Sequence, residues 1–244
     1  MPNVIVTGGS RGLGLGIARR LAGAGYRVIA IARNEGDELK AAIEEAEKAN
    51  IGALEFEPFD LSVIEGIPGL VRAIGKKYGA IYGLVNNAGI SFDGSLPLMP
   101  TSRIEELVRV NTLSPIVLSK YAVRAMMADG GGRIVNIASI AAFTGYSGLS
   151  VYGATKASLI GFSRSLAREV GRMGVNVNAI APGFIDTDMT RAMKDEQRQQ
   201  IERRSALKRL ADVEDVANAV EYLLSDKTKN ITGTVLTVDA GSTA

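Results

Sequence analysis

Tyr152-Gly153-Ala154-Thr155-Lys156 is the stretch whose residue types and spacing suggest acid–base chemistry. If residues 151–170 are helical, the phenol and the ammonium lie at i and i+4 on one face. An opposite charge within about 4–6 Å lowers a pKa by roughly 1–3 units, so the lysine would favour the phenolate of a group titrating near ~10. Ser139, a loop's length earlier, could place a second hydrogen bond on a polarised oxygen. A tyrosine and a lysine at this spacing also occur on solvated or packed helix faces, so the pair needs support from the rest of the chain.

The residues that are missing supply some of that support. The 244-residue chain has no Cys and no His, which excludes disulfides, thiolate nucleophiles, Cys-ligated metals and the commonest general base. Acid–base work falls to Tyr, Lys, Asp or Glu, and no metal site is expected. A net charge of +2 is too small to make nucleic acid the leading partner. No apolar run approaches the roughly 18 residues of a membrane span. The N-terminus enters a strand-like run at once, which predicts no signal peptide and a cytoplasmic setting.

The elements that must position these residues alternate along the chain. Strands are expected at Asn3 to Thr7, Arg27 to Ala32, Ala53 to Phe59, Ile81 to Val85, Arg133 to Ala138, Val175 to Ile180 and Thr234 to Val238. Helical patterns fall after the first glycine turn and over 37–49, 62–78, 102–128, 151–170 and 212–225, the last begun by Asp212 as N-cap with Asp215 three later. Continuous apolar strands alternating with helices predict a parallel sheet covered on both faces. No linker or repeat divides residues 1–244, so one domain is predicted; only the charged stretch 184–210, a candidate substrate lid, breaks the rhythm.

The first strand-to-helix turn reads Thr7-Gly8-Gly9-Ser10-Arg11-Gly12-Leu13-Gly14. Glycine allows close backbone approach, and a helix N-terminus there offers unpaired N–H groups to a pyrophosphate. The literal G-x-G-x-x-G spacing is absent, so the loop is read as a nucleotide cradle from its position, with a structural turn as the alternative. The second strand ends in Ala32-Arg33 where an acidic residue would indicate NAD. Arg33 and Arg11 suit a 2′-phosphate, which selects NADP(H) unless Arg33 merely faces water. In the long helix, Pro115 cannot donate an N–H to the carbonyl of Asn111, which predicts a kink and a freed carbonyl able to hold a water near Lys156.

With Thr7-Gly8-x-x-x-Gly12-x-Gly14, Asp60-Leu61, Asn86-Asn87-Ala88-Gly89, Asn111, Ser139, Tyr152-x-x-x-Lys156 and Pro182-Gly183 in this order, the chain resembles the short-chain dehydrogenase/reductase family over essentially its whole length. The resemblance implies a doubly wound Rossmann fold, a seven-stranded parallel sheet with helices on both faces. It implies Tyr152 as proton donor, Ser139 as the group holding the substrate carbonyl, and Lys156 as the residue that lowers the phenol pKa and binds the nicotinamide ribose, with Asn111 completing the set. For the cofactor it implies the Gly8–Gly14 loop, Asp60 and Leu61 at the adenine, Asn87, Ala88 and Gly89 as a wall, and Pro182, Gly183, Ile185 and Thr187 toward the nicotinamide.

Within the family the resemblance is densest to the 3-oxoacyl-[acyl-carrier-protein] reductases, at Ser163 to Val170 and Ala181 to Thr190. It implies reduction of a β-keto thioester borne on an acidic carrier protein, and a homodimer or homotetramer joined through the 102–128 and 151–170 helices. The chain departs from that subfamily at Ala128-Asp129-Gly130-Gly131-Gly132, where those reductases carry basic residues; a basic position survives nearby at Arg172. Reduction of another small ketone, sugar or polyol is the alternative activity, and an NADP-binding regulator without catalysis is the alternative class.

Overall fold

The apolar runs pair as one seven-stranded sheet in a computed structural model that describes residues 1–185 and 195–244. The strands are β1 (Asn3–Thr7), β2 (Arg27–Ala32), β3 (Ala53–Pro58), β4 (Ile81–Asn86), β5 (Gly132–Ile137), β6 (Val175–Pro182) and β7 (Val235–Val238). Every neighbouring pair is parallel, in the order β3-β2-β1-β4-β5-β6-β7. Chain order reverses between β1 and β4, which opens a crevice beyond their C-terminal ends, where sheets of this kind bind ligands.

Alternate residues of β1 feed two cores. Val4 and Val6 pack with Ile17 and Leu21 of α1 (Gly12–Gly23) and Val216 and Val220 of α8 (Val213–Leu224). Ile5 packs with Ile74 of α3 (Ile67–Tyr78), Leu118 and Met126 of α5 (Ser114–Ala128) and Val170 of α6 (Ser150–Val170). Burial on both faces explains why the strands read as unbroken apolar runs. The predicted cap of α8 forms: the Asp212 N–H donates to Asp215 Oδ2 at 2.9 Å. Beyond β2, α2 (Asp37–Ala49) matches its predicted span.

The single helix predicted over 102–128 is corrected. The chain forms α4 (Thr101–Val108), a π-helical turn (Arg109–Leu113) and then α5. In the π turn the Ser114 N–H reaches back five residues to the Arg109 carbonyl. Pro115, with no N–H, removes the i→i−4 bond to Asn111, and a widened turn absorbs that loss. The helix predicted over 62–78 also starts later, at Ile67, with proline in its first turn.

In the charged stretch 184–210 the described part is Phe184, Ile185, α7 (Asp195–Arg204) and the segment after it, which is tied to the end of β7 by Ala206 N–H to Gly241 O (3.3 Å) and Leu207 N–H to Ala240 O (3.1 Å). Thr187, Arg191 and Lys194 lie outside the described residues. Among the described residues no helix is long and apolar enough to cross a membrane.

Candidate active site

The glycine loop follows β1 directly at the crevice. Gly8 has φ +67°, a left-handed value that side chains disfavour, and a Cβ on Gly14 would stand 2.1 Å from the Gly8 carbonyl oxygen. The loop therefore keeps its backbone bare where α1 begins, with Ser10 and Leu13 half-buried and Arg11 exposed as N-cap. Thr7 locks the adjacent wall: its hydroxyl accepts from Asn87 N–H (2.9 Å) and Ala88 N–H (3.0 Å), while Asn87 Nδ2 donates to the Thr7 carbonyl (2.9 Å). The turn after β4 is thus fastened to the end of β1 by two side chains, Thr7 and Asn87. Such a bare backbone cradle at a helix N-terminus fits a pyrophosphate.

Arg11 and Arg33 are exposed and hold no ion pair among the described residues. Asp60 accepts the Ser62 N–H at 2.9 Å. That backbone bond, the Ser62 side chain and, more weakly, Arg33 hold its carboxyl below the usual range. A carboxylate therefore stands within electrostatic range of Arg33. Arg33→Ala is expected to raise the Kd for NADPH about 10–100-fold by removing a charge-assisted bond worth roughly 1.5–3 kcal/mol. The Kd for NADH should hardly change, and equal losses for both in fluorescence titrations would refute a 2′-phosphate role.

β5 and α6 bring the acid–base groups together at the same edge. Ser139, just past β5, accepts from Ala141 N–H (3.2 Å) and stands close enough to the Tyr152 phenol to lower its pKa. Lys156 is buried, with Nζ 2.9 Å from the Ile137 carbonyl and 5.8 Å from the Tyr152 ring centroid. A Cβ on Gly89 would come within 3.3 Å of both Lys156 Nζ and Asn111 Oδ1, so the glycine makes room for them. Asn111 spends its side chain on structure: Oδ1 accepts from Ile90 N–H (2.8 Å), and Nδ2 donates to Ile90 O (2.8 Å) and Thr155 Oγ1 (3.2 Å). Thr155 in turn donates to the Tyr152 carbonyl at 2.7 Å, which couples the π turn to the tyrosine's own helical turn.

The electrostatics differ from the simple pairing read from the sequence. Burial raises the Tyr152 phenol above its ordinary value, and Ser139 beside it pulls it back. Burial alone lowers Lys156 to about 8 from an ordinary 10.5. Desolvation in the dry site thus outweighs the lysine's attraction for a phenolate. Because the folded pKa is depressed, the unfolded chain binds the extra proton between pH 8 and 10.5. Stability of the cofactor-free protein should therefore rise across that window, by about 3 kcal/mol at roughly 1.4 kcal/mol per unit. Below pH 8 this contribution is absent, and Lys156→Met should abolish the rise in denaturation curves taken across the window.

This site shares its layout with known proteins. A family model described as Enoyl-(Acyl carrier protein) reductase matches residues 8–243. The chain is 43% identical over 237 residues to the 3-oxoacyl-[acyl-carrier-protein] reductase FabG of Escherichia coli (strain K12), covering 97% of this chain and 95% of the relative. The chain belongs to the short-chain dehydrogenase/reductase family. FabG of Aquifex aeolicus is 41% identical over 244 residues, covering 97% and 95%. Among solved structures of this family, a short-chain type dehydrogenase/reductase from Mycobacterium ulcerans superposes with a TM-score of 0.93 at 35% identity, covering 99% of this chain and 89% of that one. A gluconate 5-dehydrogenase from Burkholderia cenocepacia J2315, in complex with NADP and tartrate, gives 0.93 at 27% identity, covering 99% and 95%.

For this short-chain dehydrogenase/reductase the structure gathers Asn111, Ser139, Tyr152 and Lys156 at one edge, beside the loop of Gly8, Gly12 and Gly14 and the wall of Ala88 and Gly89. Pro182 ends β6, Gly183 N–H donates to Val238 O (2.9 Å), and Ile185 is buried beyond them. Thr155 and the Ile90 backbone were not foreseen, because a mid-helix threonine and a main-chain partner leave no mark in a sequence.

Proposed function

We propose that the protein reduces a ketone to a secondary alcohol, or the reverse, with NADP(H), on a 3-oxoacyl thioester like those named for its FabG relatives. The observation that carries this reading is the Tyr152 phenol with Ser139 beside it and the buried ammonium of Lys156 behind it, at the switch-point crevice with a bare glycine loop. When bound, the nicotinamide supplies the hydride for the carbonyl carbon. Tyr152 gives its proton to the carbonyl oxygen and Ser139 hydrogen-bonds that oxygen, while Lys156 holds the cofactor ribose and supports the phenolate left behind. The Gly8–Gly14 loop, Arg33, Asp60, Leu61, the Asn87–Gly89 wall, Pro182, Gly183, Ile185 and Thr187 hold the rest of the cofactor. The freed Asn111 carbonyl holds a water that relays the proton.

The loops after β4, β5 and β6 offer exposed Phe92, Leu96 and Phe143, and a perpendicular Tyr146–Phe184 contact with centroids 5.7 Å apart. That apolar surface suits an acyl chain better than a sugar. The tartrate bound by the Burkholderia gluconate 5-dehydrogenase supports a polyol as the second reading.

Asp129 and Arg172 bear on the carrier. Both sit where β5 and β6 begin, joined by the Gly132 N–H to Gly174 O bond (3.2 Å), at the edge opposite Tyr152. They would meet a carrier only across a subunit interface. That agrees with a homodimer or homotetramer through α5 and α6, where Met127 of α5 is 43% exposed and Leu113, at the end of the π turn, 41%; light scattering checks the mass. Among the described residues of the 184–210 stretch, Arg203, Arg204, Lys208 and Arg209 are exposed around a 61% exposed Leu207. The deciding experiment compares NADPH oxidation with an acetoacetyl thioester on a carrier protein, the same thioester free, and simple ketones and sugars. Arg204→Glu is expected to slow only the carrier-borne substrate, about fivefold at low salt, because rim charges act mainly on association. Turnover of sugars alone would overturn the thioester reading.

A further inference from the structure

Two rungs join β5 to α6, and they start from adjacent residues. Asn136 Nδ2 donates to Ser163 Oγ at 2.8 Å, and Lys156 Nζ donates to the Ile137 carbonyl at 2.9 Å. Ser163 lies seven residues beyond Lys156, two turns along the same helix face. The upper rung hangs on a flexible four-carbon stem. The lower one is a short hydroxyl, and Asn136 and Ser163 are both fully buried. Only the short rung can fix how far α6 slides along β5.

The direction of every hydrogen in this cluster follows from Ser163. Its hydroxyl donates to Leu159 O at 2.7 Å, so toward β5 it must accept. Asn136 therefore presents Nδ2 to α6 and Oδ1 to β4. Asn86, its partner in register, must answer with Nδ2, which donates to Asn136 Oδ1 at 2.7 Å and to Ser119 Oγ of α5 at 3.0 Å. Asn86 Oδ1 is left buried without a partner. Turning that amide over would set oxygen against oxygen. The buried interior thus carries an unpaired acceptor so that the chain of donors can end on α6.

We infer that Ser163, held by Asn136, is a positioning residue for Lys156: this buried rung sets the register of α6 and with it the placement of the ammonium at Ile137. The inference concerns the geometry of the cofactor-free protein, and it rests on the proposed reaction only for its kinetic arm. Among the described residues Lys156 has Tyr152 as its titratable neighbour and no charged side chain shifts it; its environment is set by burial.

The test uses Ser163→Ala with Ser119→Ala as control, since the latter deletes an equally buried acceptor of the same cluster without touching α6. In the cofactor-free protein, Ser163→Ala is expected to let water reach Lys156, so that the rise in stability between pH 8 and 10.5 shrinks to less than half. Ser119→Ala should leave that rise intact. In turnover, kcat should fall roughly 10–100-fold for Ser163→Ala, as misplacements near 1 Å do, and its pH profile should move, while Ser119→Ala stays within about twofold. Should Ser163→Ala not fold, Asn136→Ser carries the same comparison, because it removes the donor to Ser163 and keeps a hydroxyl for Asn86. An unchanged stability window in Ser163→Ala or its substitute Asn136→Ser, or the same change in Ser119→Ala, would overturn the inference. If wild-type protein reduces no ketone, the proposed function fails, and the stability window alone judges the rung.

Discussion

Tyr152→Phe lowers kcat by about 10²–10⁴, the usual contribution of a positioned proton donor. Phenylalanine keeps the ring beside the Lys156 ammonium and removes only the hydroxyl, so NADPH affinity in a fluorescence titration should stay within about twofold while turnover collapses. A variant with full activity would remove Tyr152 from the mechanism. The pH dependence has a definite sign. Burial keeps the phenol above its ordinary value in the cofactor-free protein, so the proton needed for reduction is present throughout neutral pH and is lost only on the alkaline side. Alcohol oxidation needs the phenolate and should instead accelerate as pH rises. Ser139→Ala removes the hydroxyl that pulls the phenol down, so it should shift the alkaline limb of both profiles upward.

Gly14→Ala is the second large effect. Its methyl would lie 2.1 Å from the Gly8 carbonyl oxygen and 2.5 Å from Asn87 Nδ2. The first neighbour is backbone and cannot swing aside. Either the loop opens or α1 shifts, and Asn87 loses its place on the Thr7 carbonyl. Overpacking of this kind costs about 1–3 kcal/mol, so the melting temperature should fall by about 2–10 °C. NADPH binding should weaken by more than that loss implies, at least about 100-fold, because the same atoms shape the cradle. Gly12→Ala provides the contrast: no atom lies within 4 Å of its added Cβ, although its φ of +54° carries a smaller backbone strain. Comparable NADPH affinities for the two variants would show that the Gly8–Gly14 contact is not what shapes the cofactor site.

Much of this architecture was legible in the chain because it depends on local rules. Unbroken apolar strands between helical patterns implied a parallel sheet covered on both faces, and Asp212 with Asp215 marked a helix start that forms with the expected bond. The glycine loop announced its place by standing between β1 and α1. Asn111 shows the limit. Its neighbour Pro115 signalled a broken helical bond, yet whether that break became a kink or a π turn depended on how α4 and α5 pack around it.

By itself the sequence determined which chemistry is open: without His or Cys, a phenol next to a lysine is the available acid–base device, and the order of motifs names the family. The tertiary structure decided how that device is tuned. Burial is a property of the whole packed layer, so only the fold could show that Lys156 is held low by desolvation, that its stem reaches Ile137, and that the phenol answers to Ser139 more than to the lysine. Hydrogen bonds between Thr7 and the turn after β4, or between Asn136 and Ser163, join residues distant in the chain. Their pairing is set by strand order and register, and no spacing along a single sequence encodes either one directly.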